Sequence, residues 1–213
     1  MKLYETVYRE AKAEYSIQKS RFIAHVFPVE TYDEAKAYIS SVKLKYKDAT
    51  HNVPVLVVGN KQEMQWSSED GEPQGTAGAP VLRMIVDSGL TNLVIVVTRY
   101  FGGIKLGTGG LMRAYTAAVR LALNEAKLCE VRESVSLKYE IPYNHLSQIE
   151  KFSKSGLFKI DKIEYTDKVT LEISGDKAHR EEIISAITEV TSGVCNLVDE
   201  GARKSKIVID STE

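Results

Sequence analysis

Cysteine is nearly absent: Cys129 and Cys195 are the only two in 213 residues. A disulfide framework is thereby excluded as the source of stability, and a reducing compartment is the natural setting. Long apolar runs are missing too. No stretch approaches the roughly 20 residues that a bilayer-spanning helix needs, so no membrane partner is expected. The opening residues, MKLYETVYREAKAEY, have neither the basic head nor the apolar stretch of a secretion signal, which makes the chain an expected cytoplasmic protein. Net charge is only -1, so bulk attraction to nucleic acid is excluded and no DNA specificity is evident. Any polyanion contact must come from a local patch. His25, His145 and His179 show no ligand spacing among themselves or with the cysteines, and H-E-x-x-H is absent, so no zinc site is expected. There is no G-x-S-x-G elbow, and no cysteine lies near a glycine loop, which leaves covalent hydrolysis without a nucleophile.

What remains is an ordinary globular composition, 43% hydrophobic and 27% charged, in a length that suits one large or two modest domains. Partial alternation from Tyr4 to Phe27 predicts one or two half-buried strands, ended by Pro28. Thr31 followed by Glu34 forms a capping box for a helix reaching about Tyr46. Val53 to Val58 reads as a buried strand, with Met64 to Trp66 as its hairpin partner. Val81, Leu82, Ile85 and Val86 lie on one helical face closed by Gly89. The unbroken apolar run Leu93 to Thr98 reads as a central strand, and Leu111, Ala114, Tyr115, Ala118, Val119 and Ala122 mark a long helix to about Lys127. A domain boundary with a short hinge is expected just beyond Cys129. After it the pattern reads strand (Val135 to Ile141), helix (Pro142 to Ser155), strands (Leu157 to Tyr165 and Val169 to Ser174), helix (Asp176 to about Thr191) and an interrupted strand (Val194 to Ile209). That order, βαββαβ, is ferredoxin-like.

Chemistry concentrates in two loops. In RYFGGIKLGTGGLMRAY, residues 99 to 115, Gly102, Gly103, Gly107, Gly109 and Gly110 expose backbone amides ahead of a helix expected to start near Gly109. Arg99, Lys105 and Arg113 add charge, and Tyr100 and Phe101 offer aromatic faces, which together suit a bound anion or nucleic acid. The alternative is a tight strand-to-helix connection with Arg99 paired to an acid. Thr108 occupies the P-loop lysine position and Met112 breaks the dinucleotide fingerprint, so Walker and Rossmann chemistry are disfavoured. In SSEDGEPQGTAGAP, residues 67 to 80, the carboxylates Glu69, Asp70 and Glu72 crowd around Gly71 and Pro73. Asp70 and Glu72 are weak candidate ligands for magnesium and, with His51, the candidate catalytic groups. Alternatively these acids neutralise Arg99 and Arg113 or cap the next helix. Thr76 and Gly78 bring a second amide-rich turn to the same surface. No cofactor is expected, with magnesium as the one possible exception.

SRFIAHVFPV (Ser20 to Val29), DATHN (Asp48 to Asn52), EDGEPQGTAGAP and VVTRYFGGIKLGTGGLMRAY (Val96 to Tyr115) occur in an order that resembles the IMPACT/YigZ family. The resemblance implies an α+β protein: residues 1–130 like the second domain of a small-subunit ribosomal protein, with a left-handed βαβ crossover, and residues 131–213 ferredoxin-like, similar to the last domain of elongation factor G. Carried over residue by residue, its signature falls on Asp48, His51, Asp70, Gly71, Glu72, Pro73, Gly75, Thr76, Gly78, Arg99, Tyr100, Gly102, Gly103, Gly107, Gly109, Gly110, Arg113 and Tyr115. Asn52, Val53 and Pro54 stand where many members have a cysteine and an aromatic, which removes a thiol mechanism. Glu69 stands where an aspartate is common.

Two neighbouring folds shared with the translation machinery imply contact with RNA or the ribosome. Eukaryotic relatives regulate translation under stress by competing for a protein activator of a kinase. They carry a further N-terminal domain, so that partner does not transfer to this chain. Three expectations follow: a non-enzymatic regulator of translation binding RNA or the ribosome, a magnesium-dependent enzyme on a phosphorylated small molecule or nucleotide, and a regulator that binds another protein.

Overall fold

A computed structural model of the chain describes residues 2–209. The chain divides into two compact units, one built mainly from Tyr4–Glu130 and the other from Val131–Lys206. In chain order the first contains β1 (Lys2–Val7), β2 (Ala11–Ile17), β3 (Ser20–Pro28), α1 (Tyr32–Lys45), β4 (His51–Val58), β5 (Met64–Ser67), α2 (Gly78–Asp87), β6 (Leu93–Tyr100) and α3 (Gly107–Ala126).

Three strands precede Pro28 where the sequence suggests one or two. The turn between β2 and β3 places Gln18 and Lys19 at φ 45° and 63°. Both lie in the left-handed region that a two-residue hairpin turn demands, without the Asn-Gly signature that announces one.

The sheet order is β2-β3-β6-β4-β5, with every pair antiparallel. Central β6 is apolar throughout its first five residues because both of its faces are covered. Leu93, Ile95 and Val97 pack with Val81 and Ile85 of α2 and Leu111, Tyr115 and Val119 of α3. Val94 and Val96 pack with Ala35, Ile39 and Val42 of α1. The expected capping box is present: Glu34 N–H donates to Thr31 Oγ1 at 3.2 Å, and the Glu34 carboxylate accepts from the Thr31 amide. Gly89, at φ 73°, follows α2 as its left-handed stop.

The second unit contains β7 (Leu128–Ile141), α4 (Tyr143–Ser153), β8 (Lys159–Tyr165), β9 (Val169–Asp176), α5 (Arg180–Val190) and β10 (Asn196–Val208). β9 lies between β7 and β8, and β10 pairs with β7, which gives the ferredoxin-like order β10-β7-β9-β8. Leu137, Tyr139, Ile141, Leu171 and Ile173 form its core against Ile149 of α4 and Ile183 and Ile187 of α5. The protein is thus α+β with two antiparallel sheets.

Three details differ from the sequence reading. β7 begins at Leu128, ahead of the strand start expected at Val135. β10 is continuous rather than interrupted. Asp176 caps a short 3-10 turn, accepting from Ala178 N–H at 2.9 Å, ahead of α5. Residues 210–213, which the expected second domain includes, lie outside the described residues. Among those described, no helix is long and apolar enough to cross a membrane.

Candidate functional site

The acidic loop between β5 and α2 folds around its own first carboxylate. Glu69 Oε1 accepts from the amides of Gly75 and Ala79 at 3.1 and 3.2 Å, and Oε2 from those of Ala77 and Gly78 at 2.8 and 3.0 Å. A side-chain anion therefore fills the partial positive end of α2. Gly78 is required for the approach, since a Cβ there would lie 2.4 Å from the Ser68 carbonyl oxygen. Thr76 Oγ1 donates to the Pro73 carbonyl at 2.6 Å. Gly78, expected to face an external anion, instead donates to this internal one, while Thr76 turns both its amide and its hydroxyl onto the Pro73 carbonyl.

The next two acids are each neutralised by a cation of the same chain, Glu72 in the interior and Asp70 nearer the surface. Arg99, at the end of β6, is 5% exposed, and its guanidinium lies 5.3 Å from the Phe22 ring and 5.4 Å from the Phe101 ring. It donates to Glu72 Oε1 at 2.6 Å, and the Tyr115 hydroxyl of α3 donates to the same oxygen at 2.7 Å. Burial first, then the neighbouring Glu72 carboxylate, drives the Tyr115 phenol far above its ordinary range. Arg99 is thus a buried counterion, which corrects its expected role as an anion contact: on β6 its side chain stays within the fold.

Asp70 takes a left-handed φ of 47°. Its carboxylate accepts from Lys43 Nζ at 2.6 Å and from the Asn52 amide at 2.7 Å, while its carbonyl accepts from His51 Nδ1 at 2.8 Å. His51 Nε2 lies 3.8 Å from Glu72 Oε1. The structure therefore brings together the three candidate catalytic residues, His51, Asp70 and Glu72, but gives Asp70 and Glu72 each a cationic side chain as partner. Among the described residues no three His, Cys, Asp or Glu side chains are grouped to hold a metal ion. Asp48 accepts from the Tyr100 hydroxyl at 3.1 Å, and Thr50 Oγ1 accepts from the Phe101 amide at 3.0 Å, so this network binds the loop before β4 to the glycine loop.

Beyond Phe101 the glycine loop divides in two. Gly102 belongs to the packing: its amide donates to Ser20 Oγ at 3.1 Å, and a Cβ there would lie 2.1 Å from the Lys19 carbonyl carbon. Gly103 and Gly107, at φ 84° and 71°, face open space. α3 starts at Gly107, two residues earlier than expected, and has no side-chain cap. Its first turn, with Gly109 and Gly110, consequently presents amides that no capping side chain satisfies. Lys105 and Arg113 are exposed beside it, as are the apolar Phe101 and Ile104.

Arg113 also lines a groove of about 800 Å³ with Arg83, Met84, Met112 and Arg120. The sequence reading missed Arg83 and Arg120. The spacing of Arg113 and Arg120, two helical turns apart on α3, is the signal that would have found the second.

Residues 18–123 match the Impact N-terminal domain, and residues 140–194 match a domain of unknown function, DUF1949. The chain is 37% identical over 190 residues to the IMPACT family member YvyE of Bacillus subtilis, covering 89% of this chain and 88% of that protein. It is 33% identical over 184 residues to the IMPACT family member YigZ of Escherichia coli, covering 85% and 90%. A crystal structure of a hypothetical protein superimposes with a TM-score of 0.59 at 29% identity, over 99% of both chains. Two domain matches in the right order, joined to relatives similar over nearly their whole length, establish that this chain belongs to the IMPACT family.

Proposed function

We propose that this protein is a non-enzymatic, cytoplasmic regulator of translation that contacts RNA, on the ribosome or a translation factor, through the rim formed by the glycine loop and the start of α3. The observation that carries this reading is the contrast between two helix starts. Glu69 fills the first turn of α2, whereas the first turn of α3 is uncapped behind Gly103 and Gly107, with Lys105 and Arg113 exposed beside it. A phosphate there gains backbone donors, the helix dipole and two formal charges. Phe101, 46% exposed at the same rim, supplies an apolar face for a base. Binding is favoured over magnesium-dependent turnover because Asp70 and Glu72 are already committed to Lys43 and Arg99.

Co-sedimentation with ribosomes across a salt series tests the proposal. The Lys105→Glu, Arg113→Glu variant should bind more weakly and with a shallower salt dependence, by about 0.7–0.9 log units per log unit of salt for each lost phosphate contact. An unchanged affinity and slope would refute it. Capture of a protein that survives nuclease treatment would point instead to Phe101 and Ile104 as a protein-binding surface.

A further inference from the structure

β10 is an edge strand of unusual length and exposure. It runs thirteen residues and pairs with β7; among the described residues no strand lies along its other edge. Every one of its side chains except Ser205 is exposed, including the apolar Leu197, Val198, Ile207 and Val208. Edge strands are ordinarily protected by shortness, charged side chains, proline or irregularity, and of these β10 has the basic charges of Arg203, Lys204 and Lys206 in one half alone. β10 is long and has no proline. β2, an edge strand of the other sheet, is seven residues long and alternates between half-buried and exposed positions.

Charge is ordered along the strand. Asp199 and Glu200 precede the centre, whereas Arg203, Lys204 and Lys206 follow it, with the small Gly201 and Ala202 between. A Cβ added at Gly201 would meet nothing within 4 Å, so the middle of the strand is bare. Arg180 grips Glu200 with two hydrogen bonds of 2.6 Å and fixes the direction of that carboxylate.

Parallel pairing of two such strands in register would set acid against acid. Antiparallel pairing sets the acidic half of each against the basic half of the other. About a two-fold axis normal to the sheet at Ala202, Glu200 lies opposite the partner's Lys204 and Leu197 opposite the partner's Ile207. Each pair occurs twice and keeps its side chains on one face.

We infer that two copies of this protein associate through antiparallel pairing of their β10 edges, forming a two-fold dimer whose register is selected by the Glu200–Lys204 pairs. The occupant of the open edge is a second copy of this chain, because the strand complements its own charge order.

Sedimentation equilibrium of the whole protein over a concentration series tests the inference. The wild type should show a monomer–dimer equilibrium. Lys204→Glu should weaken it by about tenfold or more, because two favourable pairs become two repulsive ones. Glu200→Lys should do the same, and an equal mixture of the two variants should recover dimers, since each position 200 then faces an opposite charge at 204. Circular dichroism establishes that each variant is folded. Should Glu200→Lys fail to fold without its Arg180 contact, Lys204→Gln serves instead and must weaken the dimer less than Lys204→Glu does. A wild type that stays monomeric at every concentration, or a dimer indifferent to these substitutions, overturns the inference.

Discussion

Arg99 donates to Glu72 across 2.6 Å, although the two residues are 27 positions apart and their side chains are only 6% and 2% exposed. An ion pair so enclosed makes each partner dependent on the other, since removing one strands a charge away from water. Glu72→Ala is therefore expected to cost about 3–5 kcal/mol. Tyr115→Phe removes one donor to the same oxygen and should cost about 1–2 kcal/mol. Urea denaturation of both variants checks the order, and a Glu72→Ala protein as stable as wild type would contradict the buried-pair reading.

Glu69 makes its contribution through four backbone amides and no cationic side chain. Glu69→Ala should lower stability by about 2 kcal/mol, as loss of a strong helix cap does. Glu69→Gln should retain part of that contribution, because its amide oxygen still accepts. Thermal melts distinguish the two. Equal melting temperatures for Glu69→Ala and wild type would mean that α2 does not need its internal anion.

His25 introduces a pH dependence. Burial first, then the charges of Lys12 and Lys45, lowers its pKa to about 4 from an ordinary 6.5. The unfolded chain therefore takes up a proton near pH 6.5, whereas the folded protein resists until about pH 4. Stability from this group is complete above pH 6.5, falls as pH drops toward 4 by roughly 3 kcal/mol, and changes no further below that. His25→Gln should flatten this part of the stability profile, measured by denaturation at half-unit pH intervals. A slope that persists in the variant would assign it to other groups.

The glycines of the loop should respond unequally. Gly102→Ala places a methyl group 2.1 Å from the Lys19 backbone, an overlap that costs about 3 kcal/mol or more. Gly103→Ala meets no atom and should cost only about 1–2 kcal/mol for its left-handed φ of 84°. A Gly102→Ala loss in chemical denaturation no larger than that of Gly103→Ala would show that the backbone around Lys19 yields to the added methyl group.

Local patterns made most of the secondary structure legible. The Thr31 and Glu34 capping box, the Gly89 stop and the continuous apolar run of β6 each report a hydrogen bond or a burial that their own neighbours determine. The two loops could also be recognised as one site, because glycine clusters and crowded carboxylates are unusual wherever they occur. Less legible was the turn at Gln18 and Lys19, whose left-handed backbone is imposed by the strands on either side.

The sequence by itself determined the α+β class and the βαββαβ order of the second unit, and it singled out the two loops on which the candidate site is built. Tertiary structure decided what the residues of those loops do. Lys43 comes to Asp70 and Arg99 to Glu72 across 27 positions each, and no local spacing can state which cation will neutralise which acid. Burial then separates residues that look alike in the chain. Arg99 points into the fold and is held by a carboxylate and two aromatic rings, while Arg113 emerges from the first turns of α3 into solvent. The sequence offered both as anion contacts; the low-dielectric interior kept one as a counterion, and water leaves the other open to a partner.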